Sequence, residues 1–111
     1  MAERRDYVAI DWVLGEISVT VKQACEALEA YIEDPADSTR LRFCQRYTHQ
    51  IQGTLRMVEF HGAALFAREM ELLVKWIADG EFADRDDAIE VLIASLLQLP
   101  PYLERARAAV S

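Results

Sequence analysis

Four glycines, three prolines and two cysteines are spread over 111 residues, so the chain carries little of what makes turns, loops or covalent staples. That scarcity leaves small room for loop-rich or disordered architecture. It also excludes a Gly-rich phosphate loop, and with it a nucleotide-binding fold of the chain's own. Cys25 and Cys44 both occupy apolar positions of helical patterns, with no Cys-x-x-Cys pair and no histidine at ligand spacing. They read as buried free thiols rather than a disulfide or a metal site. No apolar run approaches the ~18 residues that span a bilayer. The charged opening from Met1 to Asp6 leads into no signal-type segment, so a cytoplasmic location without membrane insertion is expected. A net charge of −7 argues against nucleic acid or an anionic membrane surface as partner. One local absence stands out. Between Thr39 and Val58 there is no Asp or Glu, yet Arg40, Arg42, Arg46 and Arg56 give that stretch +4. The rest of the chain therefore carries −11, which with this +4 makes the −7 total.

Helix formers with packing side chains fill the remainder: 52% of residues are hydrophobic, and Leu, Ala, Glu, Arg and Ile dominate. No strand alternation or repeat is present. The first helix is expected from about Asp6 or Val8 to Glu33. Its core stripe is Ile10, Leu14, Ile17, Val21, Ala24, Leu28 and Tyr31, spaced alternately four and three apart. Asp34-Pro35 ends it. The second helix, capped by Ser38 or Thr39, runs to about Phe60 on Leu41, Cys44, Tyr47 or Thr48, Ile51, Leu55 and Val58. His61-Gly62 is read as the next turn. A third helix follows over about Ala63 to Ala78, with Leu65, Phe66, Met70, Leu73, Trp76 and Ile77 apolar and Gly80 as its left-handed terminator. The fourth begins at Asp84, with Asp87 completing a variant capping box, and is apolar almost all round from Ala88 to Leu99, as if buried on two sides. Pro100-Pro101 is expected to kink or end it, leaving a short last helix from Tyr102 to Val110. The fold class that follows is all-α. One domain over 1–111 forms an antiparallel up-down four-helix bundle with a short additional C-terminal helix.

The residue best placed for chemistry is His49. Its neighbours three and four residues away are Gln45, Arg46, Gln52 and Gly53, with Arg42 and Arg56 one turn further out. This face lies opposite Ile51, Leu55 and Val58, so the imidazole should point to solvent. A neutral ring nitrogen is a nucleophile, and a phosphoryl group on it would find guanidinium donors nearby. Gly53 then gains a reason: a mid-helix glycine costs ~1 kcal/mol relative to alanine, and its missing side chain clears room for another protein beside His49. The plainer alternative is a solvated surface histidine on an Arg-rich helix. His61 reads as a helix-terminal or turn residue. Trp12, Trp76, Met57 and Met70 sit at core or interface spacings, and nothing supports a cofactor role for them.

His49-Gln50-Ile51-Gln52-Gly53-Thr54 resembles the His-x-x-Lys-Gly-(small) signature of histidine-containing phosphotransfer (HPt) domains. Arg5-Asp6-Tyr7-Val8-Ala9, Arg42-Phe43-Cys44, Met57-Val58-Glu59-Phe60 and Gly62-Ala63-Ala64-Leu65 look more specifically like the amino-terminal domain of the ChpA/PilL chemosensory histidine kinases. Those kinases control type IV pili and twitching motility. The resemblance covers essentially the whole chain. It implies a four-helix bundle inside a larger kinase, relaying phosphoryl groups between a kinase catalytic domain and a response-regulator receiver domain. Mg²⁺ and ATP would belong to those partners, and no cofactor to this chain. It further implies that His49 is the phospho-acceptor and Gly53 the clearance residue. Glu71 on the third helix would then hold the second ring nitrogen. Arg42, Gln45, Arg46 and Arg56 would form the partner- and phosphoryl-facing surface. Two positions depart from the pattern: Gln52 replaces the family lysine, and Glu59 replaces a glycine about ten residues past the histidine. Those departures keep a second function class open, a docking scaffold that is not phosphorylated. A helical enzyme ranks last, because no second convergent polar group is apparent.

Overall fold

The computed structural model describes the backbone over residues 2–80 and 85–109, and side chains over 8–80 and 85–109. Four α-helices account for nearly all of it: α1 Ala2–Glu33, α2 Thr39–Met57, α3 His61–Ala78 and α4 Arg85–Ala109. Each packs on its two neighbours around a closed ring, α1 on α2, α2 on α3, α3 on α4 and α4 back on α1. The 32 residues of α1 rise ~48 Å and set the long dimension of a 52 × 19 × 19 Å body. Polar clasps fix the antiparallel register of α1 and α4. Arg85, at the start of α4, lies 5.5 Å over the Tyr31 ring and donates to its hydroxyl (3.3 Å), while Arg107 pairs with Asp11 at 2.9 Å near the opposite end.

The core follows the expected stripes with instructive exceptions. On α1 the buried run is Val13, Ile17, Thr20, Val21, Ala24, Leu28 and Tyr31, whereas Ile10 and Leu14 are half-buried. On α2, Thr48 rather than Tyr47 takes the core position, because its hydroxyl satisfies itself on the carbonyls of Cys44 (3.1 Å) and Gln45 (2.9 Å). On α3 the buried stripe is Ala63, Ala64, Ala67, Met70, Glu71, Val74 and Ile77, while Leu65, Phe66 and Trp76 face outward. Small residues, not the large ones, bring this helix close to its neighbours. Of the residues expected at core or interface spacings, Met70 is buried, and Trp12, Met57 and Trp76 are exposed.

The helix boundaries correct several expectations. α2 carries no side-chain cap from Ser38; instead the Asp37 carboxylate accepts the Thr39 N–H (3.1 Å). Hydrogen bonds from Thr39, with Arg40 alongside, hold the Asp37 carboxyl below its ordinary range. The capping expected from Asp84 lies outside the described residues. α4 does not stop at Pro100-Pro101 but runs on to Ala109, so the expected extra C-terminal helix is its continuation. Leu96, Leu99 and Leu103 are each essentially fully buried on one stripe spanning the prolines. At about 1.5–3 kcal/mol each, the burial of the three together is comparable to the ~3 kcal/mol disruption expected from each of the two helical prolines. Nor is α4 buried on two sides. Val91, Leu97 and Tyr102 remain exposed on its outer surface.

The turn between α2 and α3 is not His61-Gly62, which are the first two residues of α3. It is built one step earlier. Phe60 N–H reaches the Leu55 carbonyl (2.9 Å) and Glu59 N–H the Arg56 carbonyl (3.1 Å), the paired bonds of a Schellman motif. Glu59 occupies the left-handed position with φ 64°, and Phe60 packs against the core beside buried Leu55. At the end of α3, Gly80 fills the equivalent position with φ 73°. An L-residue there costs about 1–2 kcal/mol, partly offset by glycine's larger entropy when unfolded. Glu59→Gly should therefore stabilise the domain by about 1 kcal/mol, read as a higher urea midpoint at an unchanged slope. A lower midpoint would contradict the strain argument.

Candidate functional site

His49 lies in the middle of α2, between Thr48 and Ile51, both buried to within 1%. Those two anchors fix the helix's rotation and turn His49 outward: 74% of its side chain is exposed. The ring is nevertheless held. Its Nδ1 lies 3.2 Å from both Glu71 oxygens, and Glu71 is a buried residue of α3 whose side chain is only 12% exposed. A carboxylate only accepts, so Nδ1 carries the shared proton, and in the neutral ring Nε2 keeps its lone pair facing away from the clasp. One carboxylate, set into the bundle wall, thus selects the tautomer and ring orientation that leave the outer nitrogen nucleophilic. The face is acid-free along α2, and it receives its single partner from the neighbouring helix.

Other expected site residues divide around this pair. Gln52 is half-buried and Gly53 exposed one turn beyond His49, and a β-carbon built on Gly53 would meet nothing within 4 Å. The fold itself therefore makes no demand for glycine there. Arg56 is exposed one turn further. Arg42 and Arg46 are exposed, and Gln45 half-buried, on the N-terminal side of His49; none of them bonds to the ring. Between α2 and α3, Gln52 and Arg56 form one wall of a hollow of about 300 Å³ whose other wall is His61, Ala64, Leu65 and Arg68. The two thiols do not compete as nucleophiles. Burial, with Cys25 close by, pushes the Cys44 thiol up to about 12, and burial followed by Glu29 and Glu26 raises Cys25. Among the described residues no group of three His, Cys, Asp or Glu is arranged to hold a metal ion, and no helix is long and apolar enough to cross a membrane.

A bundle of four helices agrees with the comparison by sequence. Residues 9–109 match the family described as the Hpt domain. The chain belongs to that family. Over 100 residues this Hpt domain is 32% identical to the scaffold protein FimL of Pseudomonas aeruginosa, a match covering 90% of the chain. It spans only 18% of that relative's length. No solved structure matches it. Of the residues lining the Hpt domain's hollow, His61 was read from the sequence only as a helix-terminal or turn residue, and Arg68 escaped a reading that followed charge along α2. The signal for Arg68 was its place three residues before Glu71, on the same side of α3.

Proposed function

We propose that this Hpt domain is phosphorylated on His49 and relays the phosphoryl group between a histidine kinase catalytic domain and a response-regulator receiver domain. The observation that carries the reading is the exposed ring with Nδ1 clasped by Glu71. In the transfer step the Nε2 lone pair attacks phosphorus in line. A Nε2–P bond forms as the donor's P–O bond breaks, and the leaving oxygen departs with the electron pair. Positive charge develops on the ring, whose Nδ1–H stays in place, and the Glu71 carboxylate 3.2 Å away stabilises it. Return transfer to a receiver carboxylate runs the same steps backwards. ATP and Mg²⁺ enter with the kinase, and the signalling setting we infer is that of the type IV pilus kinases the sequence resembles.

A second reading, a docking scaffold without phosphorylation, draws support from the neutral Gln52 beside His49 and from the relative named as a scaffold. Incubation with the cognate kinase domain and radiolabelled ATP separates the two. Relay predicts acid-labile, base-stable label on the wild type and none on His49→Gln. An unlabelled but folded wild type, with the kinase active on another substrate, would establish the scaffold reading instead.

A further inference from the structure

The hollow beside His49 holds an unusual set of side chains for so acidic a protein. Arg56 from α2 and Arg68 and His61 from α3 all line it, and no Asp or Glu contributes to its lining. Neither arginine makes an ion pair among the described residues, although the chain has 19 acidic residues to offer. Glu71, three residues from Arg68 on α3, is committed to the His49 ring. Gln52 belongs both to this hollow and to the helical turn next to His49, so the hollow adjoins the turn that carries the ring. Two guanidinium groups facing a shared concavity repel one another and focus a positive field into it. Such an arrangement suits a doubly charged anion.

Phosphorylation of His49 would bring about two negative charges to a ring whose neighbour one turn away, Gln52, is neutral. We propose that Arg68, reaching in from α3, supplies the phosphoryl-facing charge at this site, with Gln52 and Arg56 as its hydrogen-bonding companions. The inference rests on the relay reading of His49 and adds a residue from a different helix to it. Arg46, also one turn from His49, is not part of this hollow and is not assigned this role. The reaction is isolated from protein docking by a small donor, phosphoramidate. The Nε2 lone pair of His49 attacks its phosphorus, the P–N bond breaks, and ammonia leaves with the electron pair.

The experiment compares the wild type with Arg68→Gln, Arg68→Lys and the double variant Arg68→Gln/Gln52→Lys. Phosphohistidine is followed by ³¹P NMR and intact mass. Arg68→Gln should react at least tenfold more slowly at an unchanged melting temperature, and both Arg68→Lys and the double variant should recover most of the rate. A rate for Arg68→Gln within twofold of wild type, or no recovery with either lysine, overturns the proposal while leaving relay through His49 intact. If neither phosphoramidate nor the kinase labels the folded wild type, relay fails, and titration with inorganic phosphate decides the hollow separately. Phosphate-dependent shifts of the Gln52 and Arg56 side chains that vanish in Arg68→Gln keep it as an anion site; their absence from the wild type removes it.

Discussion

Replacing Glu71 with glutamine should slow phosphorylation of His49 about 10- to 100-fold, the usual cost of losing the group that orients a reactive imidazole. Glutamine is a harsher test than its size suggests. Its carboxamide N–H₂ can donate to Nδ1, which moves the ring proton to Nε2 and blocks the lone pair that must attack. Positive charge developing on the ring also loses its counter-ion. Folding should survive, since Glu71 is buried apart from its bond to His49 and an amide costs less to bury than a carboxylate. The measurement is a single-turnover labelling rate with the cognate kinase domain, set beside a thermal melt. An unchanged rate would mean that the negative charge of Glu71 contributes nothing to the step.

The second large effect is expected at Gly53, where stability and function should move in opposite directions. Alanine there meets nothing within 4 Å, so the isolated domain should gain up to ~1 kcal/mol, a rise in melting temperature of about 4 °C. Any partner whose backbone must approach His49 would meet the added methyl. Transfer from the kinase or to the receiver should then fall about tenfold, equivalent to ~1.4 kcal/mol. Gly15, exposed in α1 with equally open space around it, provides the control. Gly15→Ala should give a similar gain in stability with no loss of transfer. Equal behaviour of the two variants in both assays would remove the clearance role from Gly53.

How far the sequence alone could reach depended on how local each signal was. Stripes such as Ile17, Val21, Ala24 and Leu28 are set by helix periodicity and fall where expected. So does the outward turn of His49, which follows from Thr48 and Ile51 facing inward. Boundaries governed by hydrogen bonding across several residues were not legible in the same way. The α2–α3 turn forms around Glu59 because two backbone hydrogen bonds close a Schellman motif there, and the glycine at Gly62 is a misleading cue. α4 passes through two prolines because leucines on both sides of them are packed, a tertiary effect that overrides local propensity. At the site, charge along α2 could be read off directly. The juxtaposition of His49 with Glu71 followed only from resemblance, and that of Gln52 with Arg68 only from the packing of α2 on α3.

The nitrogen that carries phosphorus is the most direct test of the central claim. Long-range proton–nitrogen NMR on the kinase-phosphorylated domain should show phosphorus on Nε2 of His49 with a proton retained on Nδ1. Phosphorus on Nδ1, on any other residue, or nowhere on a folded domain offered to an active kinase would contradict it.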